Sequence, residues 1–268
     1  MTFDLEAYPG DPPPPIWQQA FAGLPIPAWR WYRRVSSTQD VAWAWAELGA
    51  ADGVLVAAEA QTAGRGRAGR RWYSRPGASL TVSVVARPFA EEQPWLSRYT
   101  AWAALAMADA LASWGVNVRI KWPNDLLLDG RKIGGVLVEL HWRAAQPEVA
   151  ILGVGVNLSP EAVPRPEQLD FPAGSIAGLR KVRIPAPTLA AQFWRAWTAW
   201  RGRLTSFAFL AAWDARLAYR GQWVEVRAGH ERWRGILLGL REDGALRLRT
   251  PSGERAVWQV DHLRPLGQ

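Results

Sequence analysis

Gln61-Thr62-Ala63-Gly64-Arg65-Gly66-Arg67-Ala68-Gly69-Arg70-Arg71-Trp72 is the stretch on which the reading of this chain turns. Its three glycines let the backbone approach a ligand closely. Its four arginines are permanent cations whose planar forks suit phosphate or carboxylate. That many like charges in one loop repel each other unless an anion sits among them, so the stretch reads as an anion cradle; the bland alternative is a solvated basic turn. The Gly64-x-Gly66-x-x-Gly69 spacing matches a dinucleotide fingerprint, but that fingerprint must open a helix. Here Trp72-Tyr73-Ser74-Arg75-Pro76-Gly77 is a loop, and a strand follows at 80–86. A phosphate-binding P-loop would need Lys-Ser/Thr where Arg70-Arg71 stands. The cradle therefore joins two strands.

The chain has 268 residues, 49% hydrophobic and 21% charged, enough for one large domain plus a small one. It has no cysteine, which excludes disulfides, a thiolate nucleophile and a Cys-based zinc site. His141, His230 and His262 lie far apart, which gives little support to a histidine metal cluster or a serine triad. No apolar run approaches the ~20 residues of a membrane span, and the amino terminus lacks a signal peptide, so a cytoplasmic location with no membrane partner is expected. The net charge of +8 invites a nucleic-acid reading, but the basic residues form no single stripe. Only three of the 32 are lysine, and Lys121 and Lys132 fall in one short segment, with Lys181 elsewhere. A lysine kept in an arginine-rich chain points to a site needing a compact ammonium.

Residues 1–28 carry seven of the twenty prolines, four consecutive at Pro12–Pro15. They read as an extended arm with one turn at most around Gln18–Phe21. An edge strand is expected at Trp29–Tyr32. A helix then starts at Ser36-Ser37-Thr38 with Asp40 in its first turn and Val41, Trp45 and Leu48 buried; hydroxyls at a helix start also suit a small polar head group. Strands are expected at 54–59 and 80–86, an amphipathic helix at 95–114, and a strand through Val116, Val118 and Ile120. Thr188 is expected to cap a helix with Leu189, Phe193, Trp197 and Trp200 on one face, and another helix spans about 207–219. From Gly221 short strands separated by Ala228-Gly229, Glu242-Asp243-Gly244 and Ser252-Gly253 predict a small β barrel.

The second constellation runs from Lys121-Trp122-Pro123-Asn124-Asp125 to Glu139. It predicts a strand, a Pro-Asn-Asp corner, a hairpin turned by Asp129-Gly130, and a second strand. The hairpin brings Lys121 and Lys132 together around Asp125, a set that makes poor core and needs an anionic ligand. Gly134-Gly135 and Gly153-Val154-Gly155-Val156-Asn157 notch two strands for close approach by a ligand.

These pieces, in this order, resemble the biotin protein ligases: Ser37-Thr38, Gln61 with Gly64–Arg70, Lys121–Asp125, Gly130–Glu139 and Gly153–Asn157. A weaker likeness at 221–266 is to the family's SH3-like carboxyl-terminal domain. The resemblance implies an α+β fold, a mixed β-sheet backed by helices in a class II synthetase-like catalytic domain at 29–219. A proline-rich arm at 1–28 would precede it and an SH3-like β barrel at 220–268 would follow. The implied activity is ATP-dependent biotinylation of one lysine on a biotin carboxyl carrier protein through biotinyl-5'-AMP, with ATP and Mg²⁺. Ser37, Thr38, Gln39 and Gln61 would hold the biotin head group, and Arg65, Gly66 and Arg67 would lie in the closing loop. Lys132 would contact the biotin carboxylate and phosphoryl oxygens, with Gly135 and Gly153 lining the pocket. Gly64, Arg65, Arg67, Arg70, Lys121 and Asn157 would face ATP or the adenylate, and Trp72 would cover the adenylate or pack in the core.

Lys132, Arg67, Lys121 and Asp125 are thus the catalytic candidates. Whether Asp125 orients or deprotonates the acceptor lysine, joins a Mg²⁺ shell or is structural stays open; no metal set of protein side chains alone is expected. The repressor-type members' DNA-binding domain has no counterpart, so the monofunctional class and no specific DNA are expected. Asp261-His262-Leu263-Arg264 departs from the family's usual ending, and 160–185 aligns poorly. A homodimer, a lipoate–protein ligase of the same fold and, from another class, a basic nucleic-acid-binding protein stay open. A cysteine-dependent lipoyl or octanoyl transferase is disfavoured by the lack of cysteine.

Overall fold

The computed structural model describes residues 10–267 and contains two β-sheets. The strands of the first are β1 (Trp29–Val35), β2 (Leu55–Gln61), β3 (Ser79–Ala86), β4 (Arg119–Lys121), β5 (Asp125–Leu128), β6 (Arg131–Arg143) and β7 (Gln146–Asn157). Their spatial order is β1-β2-β3-β7-β6-β5-β4. Only β1 and β2 pair in parallel, so the sheet is mixed. The helices are α1 (Pro15–Phe21), α2 (Thr38–Glu47), α3 (Tyr99–Ala112), α4 (Ile176–Arg180), α5 (Ala186–Arg201) and α6 (Phe207–Ala215).

Every residue of β3 is buried, because both faces of the sheet are covered. On one face α2 sets Val41, Ala42, Ala44 and Ala46 against Val56, Ala58, Val85, Val149 and Ile151. On the other, α3 and α5 cover Leu55, Val82, Val84, Leu152 and Val154 with Trp102, Leu105, Phe193 and Trp197. The second sheet, β8 (Trp223–Ala228), β9 (Glu231–Leu240), β10 (Leu246–Thr250), β11 (Gly253–Val257) and β12 (His262–Pro265), is antiparallel in the order β11-β10-β9-β8-β12. It is the expected SH3-like barrel, with a fifth strand, β12, that the turn spacing did not announce.

Several local expectations are corrected. Pro15 at the first helical position starts a two-turn helix, whose Trp17 and Phe21, four residues apart, are buried against the core. The described part of the proline-rich arm is therefore packed, and its residues 1–9 lie outside the described residues. In α2 the alanines form the buried face, while Leu48 is 69% exposed at the C-cap. Pro94 and a kink at Trp95 keep 90–98 in 3-10 geometry, so α3 begins at Tyr99. The strand expected from Val116 shortens to Arg119–Lys121. Pro187 in the first turn starts α5 at Ala186, so Thr188 lies inside the helix, and α6 ends at Ala215. No helix among the described residues is long and apolar enough to cross a membrane.

Candidate functional site

The site lies where α2 stops covering the sheet. Along that face β3 passes from Val85 to Ser83 and Thr81, and β7 from Ile151 to Gly153, Gly155 and Asn157. The register aligns Leu137, Gly153 and Ser83 in one row and Gly135, Gly155 and Thr81 in the next. Apolar side chains under the helix give way to hydroxyls and bare backbone, leaving a cavity of about 560 Å³, a size that suits a small-molecule ligand.

At its closed end Ser37 caps α2, accepting from the Gln39 N–H at 3.3 Å. The Thr38 N–H and hydroxyl both donate to Gln61 Oε1, at 2.8 and 3.1 Å, and Thr38 Oγ1 lies 2.8 Å from Ser83 Oγ. Gln39 Nε2 donates to the Leu137 carbonyl at 3.3 Å. Its Oε1 is buried without a partner, an acceptor placed for an N–H arriving from the cavity. The closed end thus presents donors and acceptors to a compact polar head group.

In the middle, Asp125 joins the two lysines: its Oδ1 is 2.5 Å from Lys132 Nζ and its Oδ2 is 3.3 Å from Lys121 Nζ. The expected juxtaposition is met, and it carries one net positive charge. Burial pushes the Asp125 carboxyl up, but the Lys132 and Lys121 ammoniums outweigh it and hold the group below the ordinary carboxylate range. A carboxylate so stabilised is a weak base. Burial also lowers Lys121, with Asp125 opposing, and the Lys121 ammonium lies 4.4 Å from the Phe171 ring centre. Because the folded-state pKa of Asp125 is depressed, its contribution to stability is present above the ordinary carboxylate range and is lost as pH falls through the folded value. Asp125→Asn leaves two ammoniums without their counter-ion and should cost about 3 kcal/mol at pH 7. Urea unfolding should show the gap to wild type shrinking toward pH 3; a gap constant with pH would contradict the assignment.

The arginine loop folds as a tight hairpin. Gly66 N–H donates to the Arg70 carbonyl at 2.7 Å and Trp72 N–H to the Gly64 carbonyl at 2.9 Å, with Ala68 and Gly69 at φ of 54° and 72°. Arg65 lines the cavity, but its guanidinium is held by Asp40 of α2 and by Glu139 of β6 at 2.9 Å. It latches the loop over the head-group end. Arg67 makes one long hydrogen bond, 3.4 Å to Asn124 Oδ1, and Arg70 stands 3.8 Å from Asp170. The Trp72 ring fills the notch at Gly155, where a Cβ would come within 2.3 Å of it. Asn157 donates to the Gly174 carbonyl at 3.0 Å at the far wall.

Of the sequence-predicted residues, Ser37, Thr38, Gln39, Gln61, Arg65, Gly66, Arg67, Arg70, Trp72, Lys121, Asp125, Lys132, Gly135, Gly153 and Asn157 all line this one cavity. Gly64 does not; it packs behind the loop against the Trp72 backbone and the Gln61 amide. Thr81 and Phe171 line it as well and carried no signal of their own; so do Asn124, inside the Lys-Trp-Pro-Asn-Asp run, and the barrel segment Asp261–Arg264, noted in the sequence only for its departure from the family's ending. Arg264 reaches the Asp170 carbonyl at 2.6 Å, joining the barrel to the cavity's outer wall.

Among the described residues no three His, Asp or Glu side chains gather, and both Asp125 oxygens are engaged by lysines.

The cavity, with a polar closed end, a paired-lysine centre and an arginine lid, defines an enzyme that activates an acid. The sequence profile of the Biotin/lipoate A/B protein ligase family matches residues 31–157. A biotin–[acetyl-CoA-carboxylase] ligase of Paracoccus denitrificans is 32% identical over 210 residues, 75% of this chain and 86% of that protein. The bifunctional ligase/repressor BirA of Bacillus spizizenii is 29% identical over 232 residues, 85% of this chain and 71% of that protein. In fold, the chain is similar to a biotin protein ligase from Aquifex aeolicus solved with biotin and ATP, with a TM-score of 0.76 at 24% identity over 90% of this chain and 100% of that one. The chain belongs to the biotin/lipoate A/B protein ligase family, in its biotin protein ligase group.

Proposed function

We propose that this ligase joins biotin to a single lysine of a biotin carboxyl carrier domain in two steps within one cavity. In the first, the biotin carboxylate attacks the α-phosphate of ATP, pyrophosphate leaves, and biotinyl-5'-AMP forms. In the second, the acceptor amine attacks the acyl carbonyl and AMP leaves. The observation that carries this reading is the order of groups along the cavity: an amide-and-hydroxyl end, then Lys132–Asp125–Lys121, then Arg67 and Arg70.

Each group has a task in that chemistry. Ser37, Thr38, Gln39 and Gln61 hold the head group and so fix the reach of the biotin side chain. Two anions must meet at the α-phosphate, and Lys132 with Arg67 offsets the charge that grows on the oxygens there. Lys121 serves the nucleotide side. Asp125 keeps the two ammoniums close together without being a base. The loop tied down by Arg65 keeps water from the acyl phosphate until the acceptor arrives. Residues 29–219 carry the catalysis in this reading and 220–268 close the outer wall. The reaction takes place in the cytoplasm, and specific DNA binding plays no part in it.

The test is pyrophosphate exchange into ATP in the presence of biotin, lipoate or neither. Exchange with biotin alone is expected; exchange with lipoate alone sinks the reading.

A further inference from the structure

One turn of the barrel is gripped by the large sheet's half of the chain at three successive carbonyls. The Glu242 carbonyl accepts from Arg98 Nη2 at 2.9 Å, that of Asp243 from Ser97 Oγ at 3.1 Å, and that of Gly244 from Trp122 Nε1 at 3.0 Å. The turn itself is closed by Gly244 N–H to the Arg241 carbonyl at 2.9 Å. Arg98 is 1% exposed and anchors its other arm on the carbonyls of Leu204, at 2.8 Å, and Ser206. Gly244 takes a φ of +85°, and a Cβ there would stand 2.9 Å from the Trp213 ring, so a side chain at this position must shift the turn.

Ser97 and Arg98 do not line the cavity, but Trp122 does. Trp122, 6% exposed, sits between Lys121 and Asn124. Asn124 in turn accepts from Arg67, and its amide donates to the Val136 carbonyl at 3.0 Å. The indole N–H is therefore the one link of the three that runs from the barrel into the corner carrying Lys121, Asn124 and Asp125.

We propose that the barrel turn Glu242–Gly244 sets the position of the Lys121–Asp125 corner through Trp122, making Trp122 a positioning residue for the nucleotide side of the site. This rests on the adenylation reading above. A small displacement of groups around reacting atoms is costly to rate, while the head-group end, built on α2, β3 and β7, does not share this link.

The experiment compares wild type with Trp122→Phe, Gly244→Ala, their double mutant and Ser97→Ala. It measures pyrophosphate exchange with ATP and biotin varied separately, and calorimetric binding of biotin alone. Trp122→Phe removes the donor, and Gly244→Ala displaces the acceptor. Each should lower kcat/KM for ATP by roughly tenfold with biotin affinity changed by less than about twofold. The double mutant should be no worse than the worse single, since both break one bond. Ser97→Ala frees the same turn at a carbonyl with no path to the corner and should leave both parameters near wild type. The proposal is overturned if ATP parameters stay unchanged in a folded Trp122→Phe protein, if biotin affinity falls in step with them, or if the two changes add. Should Trp122→Phe not fold, Gly244→Ala against Ser97→Ala still decides: equal losses mean a structural seat only. A wild type without biotin-dependent exchange rejects the adenylation reading itself, and this inference with it.

Discussion

Lys132→Ala is expected to slow biotin-dependent pyrophosphate exchange by about a hundredfold to a thousandfold while the protein stays folded. Lys132 is half-exposed to the cavity and lies 2.5 Å from Asp125. Its loss leaves Asp125 with Lys121 at 3.3 Å, so no buried carboxylate is left without a cation and the fold keeps its centre. What disappears, in the reading proposed above, is the ammonium assigned to the carboxylate and phosphate oxygens. Arginine there would not restore it, since a planar fork cannot take the position of a compact ammonium beside Asp125. The check is exchange kinetics beside a thermal melt. Near-normal exchange in a folded Lys132→Ala protein refutes the role.

The second large effect falls on the other phase of the reaction. Arg65 is committed to Asp40 and Glu139, and Arg70 stands near Asp170. Arg67 has only its long bond to Asn124 among the described residues. It lines the cavity and has capacity left for an anion. Burial lowers its pKa and Asp125 opposes that, but a guanidinium remains charged at neutral pH. Arg67→Gly removes a charge-assisted hydrogen bond worth about 1.5–3 kcal/mol, so biotinyl-5'-AMP should leave the site roughly ten to a hundred times faster. Free adenylate acylates whatever lysine it meets. A streptavidin blot of mixed bystander proteins, incubated with ATP, biotin and either enzyme, should show heavy labelling with the mutant and little with wild type. If the mutant still makes adenylate but labels bystanders no more than wild type, Arg67 does not hold the intermediate.

Much of this centre was legible beforehand because its chemistry is local in the chain. Lys121, Asp125 and Lys132 lie on three consecutive short strands, β4 to β6, joined by the Trp122–Asn124 corner and the turn at Asp129 and Gly130, so twelve residues of local sequence bring them together. The arginine loop joins two neighbouring strands, and its glycines and charges advertised themselves. What stayed hidden depends on distant partners. Arg65 reads as an anion ligand until Asp40 and Glu139, 25 and 74 residues away, are seen to hold it. Phe171 reaches the cavity because its loop pairs with β6 at Lys132, 39 residues back in the chain, and β12 reaches it through the packing of the barrel. The helix at Pro15–Phe21 was masked by its prolines, although Trp17 and Phe21 were already spaced to share a face.

The way α2 ends over the sheet has a consequence for how such a site can change. In the reading proposed above, a bound head group continues the layer that α2 begins over the sheet, beside the Gln39 and Trp72 side chains that cover Gly153 and Gly155. In that reading ligand choice is a packing decision written into strands, while retention of the intermediate is written into a surface loop. The two can drift separately in that reading: exchanges at residues 81 and 153 alter the acid accepted without touching the lid, and a loosened lid keeps its acid.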